Sequence, residues 1–185
     1  MINDILNEAD GKMDKSVEST REEFSAIRAG RAQPSMFSKI VVDYYGSPTP
    51  LQQLASFQMP EARTVVITPY DRSSMVNIEK ALRDSDLGVN PTNDGNVIRV
   101  VLPALTQDRR KDFVKLAKNK AEDARISVRN VRRRAKEELD RIVKDGEAGE
   151  DEVGRAEKEL ESLTKKHVDL IDHLLSSKEN ELLEV

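Results

Sequence analysis

The 185-residue chain has no cysteine and no tryptophan, and aromatic residues make up only 4% of it. Without thiols there are no disulfides, no thiolate metal sites and no cysteine nucleophile. Only two histidines are present, His167 and His173, which leaves little from which to build a metal site. No segment approaches the roughly 18 consecutive apolar residues that a membrane span needs. The start, MINDILNEADGKMDK, is polar and amphipathic rather than basic and then apolar. A cytoplasmic protein without membrane contact is therefore expected. Scarce aromatics beside 35% charged residues suit long solvated helices better than a thick globular core.

Charge is abundant but unevenly placed. The formal net charge of −4 conceals a change of sign along the chain: residues 104–144 carry 14 Lys and Arg against 7 Asp and Glu, and residues 145–185 carry 5 against 13. An anionic partner is attracted by the first stretch and repelled by the second, so any contact with nucleic acid must be one-sided.

Three stretches show helical periodicity. Within residues 2–27, Leu6, Ala9, Met13, Val17, Thr20, Phe24 and Ile27 recur every three or four positions, and Gly30 and Pro34 mark the stop. A second pattern opens after Pro103 with Thr106 as N-cap and Asp108 in the first turn. Its buried stripe is Phe113, Ala117, Ala121, Ala124, Val128, Val131, Ala135, Leu139 and Ile142. Residues 145–149 break it, and Val153, Ala156, Leu160, Leu163, His167, Leu170 and Leu174 mark a third helix. Such stripes are marginal alone and need neighbours, which predicts a three-helix bundle.

Residues 31–103 differ in texture. β-Branched and aromatic runs at 39–45, 64–68 and 97–102 read as strands, cut by Gly and Pro. A short helix through Met75, Ile78, Ala81 and Leu82 has Ser73 or Ser74 as its cap and Asp86-Leu87-Gly88 as its end. The expected fold is α+β: an elongated three-helix bundle from residues 1–30 and 104–185, with a small α/β domain, residues 31–103, inserted after the first helix. The chain leaves near residues 30–34 and returns near 103–106, and two short crossings of this kind would make a hinge.

On the second helix, Arg125, Arg129, Arg132, Arg133 and Lys136 fall one or two turns apart along one flank, with Arg109 and Arg110 near the helix start. A guanidinium donates two parallel charge-assisted hydrogen bonds to a phosphate, and A-form RNA offers proteins its backbone and shape. The row fits the backbone of a folded RNA. With Glu122, Asp123, Glu137 and Glu138 beside it, it also fits a solvated helix face, and periodicity leaves both readings open. His167 lies on the apolar stripe as a packed core histidine, and His173 does not share its face. Capping explains Ser73-Ser74, no histidine lies in the insert, and a GxxxxGK[ST] phosphate loop is absent. No catalytic residue, metal site or cofactor is expected, and the chain does not read as an enzyme.

Five strings carry more than periodicity does. They are Ile27-Arg28-Ala29-Gly30-Arg31-Ala32 with Pro34, Tyr44-Tyr45-Gly46 with Thr49-Pro50-Leu51, Asp86-Leu87-Gly88 with Asn90-Pro91, Leu105-Thr106 followed by Arg109-Arg110-Lys111, and Val128-Arg129-Asn130-Val131-Arg132-Arg133. In this order, along essentially the whole chain, they resemble bacterial ribosome recycling factors. The resemblance implies a bundle domain, a mobile α/β domain and a shape similar to transfer RNA. It implies a monomer that binds the large ribosomal subunit and its rRNA after termination and separates the subunits with elongation factor G, which hydrolyses the GTP. It places Arg28, Arg31, Arg110, Arg129 and Arg132 on the rRNA-facing side, with Arg133 beside them in the row. It places the hinge at Gly30, Arg31, Ala32 and Gln33 and at Pro103, Ala104 and Leu105. The chain departs from the familiar pattern at Arg134, an acidic or neutral position, and at Gln107-Asp108, where two glutamates are usual. A coiled-coil adaptor or chaperone-like interaction protein, its arginine row facing an acidic protein, would explain the helices but not the strings of the insert. A metal-dependent nuclease would need a metal cluster that the sequence does not suggest.

Overall fold

The structure is a computed structural model and describes residues 1–27 and 31–183. Three long helices arise where the periodicity predicts them. The first, α1 (Ile2–Ala26), buries Leu6, Ala9, Met13, Val17, Thr20 and Phe24, and Ile27 is buried just beyond it. The expected stop at Gly30 lies outside the described residues. A second, called α3 because a short helix precedes it in the chain, spans Gln107–Lys144, and α4 spans Glu150–Leu183. At 1.5 Å per residue they are about 57 and 51 Å long.

Local chemistry sets the ends of α3. The Thr106 hydroxyl accepts a hydrogen bond from the Arg109 amide at 3.1 Å, the N-cap that the sequence suggests. At the other end Gly146 has φ +70°, its amide donates to the Val143 carbonyl, and the Glu147 amide donates to the Ile142 carbonyl, both at 3.0 Å. This paired pattern around a left-handed residue is a Schellman cap.

The buried faces follow expectation on α3, apart from Phe113 and Val131, which are only half-buried. On α4 the stripe is shifted. Val153, Ala156, Leu160, Thr164, His167, Ile171, Lys178 and Leu182 are buried, whereas Leu163 and Leu174 are half-buried and Leu170 is exposed. Hydropathy alone favours Leu163 over Thr164. The Thr164 hydroxyl, however, donates to the Leu160 carbonyl at 2.8 Å within the helix, which lets it enter the core without an unsatisfied group.

The chain forms two compact units, Met1–Phe24 with Val114–Asn180, and Ser25–Phe113 with Glu181–Val185. The first is the helix bundle. Polar ties join its helices: the Ser16 and Ser127 hydroxyls meet at 2.9 Å, Lys120 reaches Glu23 at 3.0 Å, and Arg125 reaches Asp172 at 2.6 Å.

The second unit contains a two-stranded hairpin, β1 (Val41–Tyr44) and β2 (Ser47–Pro50), and an antiparallel sheet of four strands. These are β3 (Ala55–Glu61), β4 (Thr64–Pro69), β5 (Thr92–Asn93) and β6 (Ile98–Val101), in the order β3-β4-β6-β5. The hairpin turns on Tyr45 (φ +51°) and Gly46 (φ +80°), the paired positive angles that match strand twist. With the short helix α2 (Met75–Arg83), these strands enclose a core of Phe37, Val42, Leu51, Val65, Ile67, Ile78, Leu82, Ile98 and Val100. The expected runs correspond to β1, β4 and β6. Strands β2, β3 and β5 were not anticipated, because Ser-Pro-Thr-Pro and the Pro60 of β3 read as breakers. Both prolines of β2 lie on an edge strand, and the β3–β4 register shifts between Gln58 and Glu61, around Pro60. The helix cap also needs correcting. Ser74 makes no side-chain cap to α2. Instead the Asp71 carboxylate accepts from the Ser73 amide at 2.9 Å and caps a 3₁₀ turn, Arg72–Ser74, that leads into α2. The helix stops at Arg83, short of Asp86-Leu87-Gly88.

Candidate nucleic-acid interface

Helix α3 has no Gly or Pro along its length and is rich in Arg, Lys and Ala, good helix formers that hold a straight row of side chains. At 3.6 residues per turn, Arg125, Arg129, Arg132, Arg133 and Lys136 fall within about 100° of one another around the axis. Their surroundings differ. Arg125 is the most enclosed, its side chain 18% exposed, with Nη1 3.0 Å from Glu122 and Nη2 2.6 Å from Asp172. Burial opposes its charge, the two carboxylates more than offset that, and its pKa lies above the ordinary arginine value. Arg129 and Arg132 are loosely held, at 3.7 Å from Glu122 and 3.6 Å from Glu161. Arg133 and Lys136 are exposed and have no ion-pair partner among the described residues. Arg134 points elsewhere, about 160° from the middle of the row by helical geometry. It lines a shallow groove with Glu8, Lys12 and Glu138, so the extra charge at this position does not lengthen the row.

The other expected RNA-facing residues belong to the second unit or are not described. Arg31 is exposed. Arg110, in the first turn of α3, is half-buried, and its Nε is buried without a hydrogen-bond partner among the described residues. Its neighbour Arg109 stacks on Phe113 at 5.1 Å. Arg28 and Gly30 lie outside the described residues. Of the remaining hinge candidates, Ala32 is buried, Leu105 is half-buried, and Arg31, Gln33, Pro103 and Ala104 are exposed. The Ala32 amide donates to the Ala62 carbonyl and the Leu102 amide to the Arg63 carbonyl, each at 2.7 Å. Both crossings are thus tied to the single turn that joins β3 and β4.

Two polar clusters were not anticipated. His167 is fully buried, as its place on the stripe suggested, and its partners come from its own helix and from α1. Nδ1 lies 2.7 Å from the Leu163 carbonyl, and Nε2 lies 2.7 Å from Asp14 Oδ1 and 3.3 Å from Asp10 Oδ1. These three residues could present one donor atom each to a metal. The 2.7 Å spacing is that of a hydrogen bond, shorter than two ligands each about 2.1 Å from one ion ordinarily keep, so the arrangement acts as a strut between α4 and α1. In the second unit Asp71 accepts from Ser73 Oγ at 2.7 Å, the Ser73 amide at 2.9 Å, Tyr44 Oη at 3.0 Å and Tyr45 Oη at 3.1 Å. Donation by Ser73, then by Tyr44, pushes its carboxyl down to about 2, and the bond to Asp71 raises the Tyr44 phenol. A spacing of 26 or 27 residues between Asp71 and these tyrosines carries no local signal in the sequence.

Fold and row together define a class, a three-helix-bundle protein with an inserted α/β unit and one cationic helix flank. The sequence model of the family described as "Ribosome recycling factor" matches residues 20–183, and the chain belongs to that family. It is 73% identical to the ribosome-recycling factor of Kineococcus radiotolerans over the full length of both chains. Among solved structures, the solution structure of a ribosome recycling factor is 42% identical, with 100% of this chain and 98% of that one covered and a TM-score of 0.81. A chain from models for the T. thermophilus ribosome recycling factor and the E. coli elongation factor G bound to the E. coli post-termination complex is 38% identical, with both chains covered in full and a TM-score of 0.69. No helix among the described residues is long and apolar enough to cross a membrane.

Proposed function

We propose that this protein binds the large ribosomal subunit after termination and, with elongation factor G and GTP, splits the post-termination complex so that ribosomes can be reused. It does so in the cytoplasm, as a monomer, with no chemistry or cofactor of its own. The observation that carries this reading is the arginine row of α3 in a chain of this family. The relative placed with elongation factor G on a post-termination complex supports the choice of partner.

In this reading Arg129, Arg132 and Arg133 grip rRNA phosphates, and Arg28, Arg31 and Arg110 add to the footprint. Residues 1–30 and 104–185 form the anchored domain, and residues 31–103 swing about Gly30 to Gln33 and Pro103 to Leu105 when the GTPase pushes. Anchoring converts the partner's movement into strain on the bridges between subunits.

Sedimentation with isolated large subunits, small subunits and free RNA across a salt series tests the target. Saturable binding to large subunits that falls steeply with salt is expected, and Arg132→Gly should reduce both the affinity and the salt slope, the slope by about one unit. Arg132 is half-buried and its one ion pair is long, so its loss, together with about 1 kcal/mol for Gly within a helix, should leave the fold intact. Equal binding to every RNA, or undiminished binding by a folded Arg132→Gly variant, would sink the reading.

A further inference from the structure

The arginine row does not wait empty for RNA. Carboxylates already hold part of it, and the most exposed of these interhelical pairs joins Arg132 of α3 to Glu161 of α4. The two side chains lie 3.6 Å apart and are 38% and 66% exposed. An exposed pair of this length is weak and easily exchanged. Arg125 contrasts with it, enclosed between Asp172 and Glu122 at 2.6 and 3.0 Å. Glu161 approaches only Nη1 of Arg132, at 3.6 Å, so it leaves other N–H donors of the guanidinium open but competes electrostatically with an RNA phosphate for the same charge.

We propose that Glu161 is a built-in competitor for RNA at Arg132, a positioning residue that holds the guanidinium over the flank and lowers its affinity for phosphate. This rests on the reading of the row as an RNA contact. The charge asymmetry of the chain gains a local meaning, since the acidic last helix brings one of its carboxylates to a motif arginine. Phosphate binding then weakens this ion pair and release restores it, which suits a factor that must leave the ribosome after each round.

A double-mutant cycle on large-subunit binding tests this, using the full chain at fixed salt. Glu161→Gln should tighten binding about two- to fivefold, the range that exposed ion pairs allow. Arg132→Gln should weaken it, and the double variant should bind like Arg132→Gln, because the gain requires the arginine. Glu159→Gln makes the same charge change at an exposed α4 acid that has no ion-pair partner among the described residues, and it should give no gain. No gain from Glu161→Gln, a gain that persists without Arg132, or an equal gain from Glu159→Gln would overturn the proposal. Undiminished binding by Arg132→Gln would instead overturn the underlying RNA reading. Helical circular dichroism of each variant separates these outcomes from misfolding.

Discussion

Arg125 and Arg132 lie seven residues apart on one flank of α3, and the same substitution should affect them differently. Arg125→Gln removes a partly enclosed cation that joins α3 to α4 and should cost about 1 kcal/mol of stability in urea titration, with the salt slope of subunit binding unchanged. A slope that falls as it does for Arg132→Gly would make Arg125 an RNA contact as well. His167→Ala should be more damaging, about 2–4 kcal/mol, because it opens a cavity in the bundle and removes the tie to Asp14 of α1. Asp71 gives a pH signature. Its folded value of about 2 lies below the ordinary 3.8, so its contribution is present above 3.8 and is lost as pH falls through about 2. The stability gap between the protein and Asp71→Asn should therefore be flat near neutrality and close between about pH 4 and pH 2; a gap unchanged across that window would contradict this assignment. At this scale the sequence was partly legible. His167 could be placed in the core from its stripe, and Arg129, Arg132 and Arg133 could be placed on one face. The acids that pair with them could not, since Asp14 and Glu161 meet their partners only after the helices pack.

Among elements, α1 and α3 were the most readable, because long periodic stripes average over single residues. The α4 stripe shifts by one position at Leu163 and Leu170: at the first, leucine outranks threonine in hydropathy but an internal hydrogen bond admits Thr164, and at the second, Ile171 is buried in place of Leu170. In the second unit, β1, β4 and β6 are visible as β-branched runs, whereas proline hides β2 and β3. Cap chemistry allows a test on α3. Gly146→Ala places a side chain at φ +70° and should cost about 1 kcal/mol, a loss readable in the denaturant midpoint. An unchanged midpoint would mean that the Schellman cap contributes nothing to stability.

For the molecule as a whole, periodicity suggested a bundle with an insert, and the five ordered strings pointed to a family that composition could not name. The proposed hinge is tested by function rather than stability. Replacing Pro103-Ala104 with Gly-Gly loosens one crossing and should slow subunit splitting by elongation factor G, as followed by light scattering, with large-subunit binding retained. Splitting at the original rate would remove these residues from the lever.

All three tyrosines, Tyr44, Tyr45 and Tyr70, lie in the second unit, and the chain has no tryptophan. Tyrosine emission therefore reports on that unit alone, while ellipticity near 222 nm is dominated by the long helices. The protein carries a separate optical reporter for each of its two parts. A single thermal ramp read at both wavelengths shows whether they melt as one cooperative body or in succession.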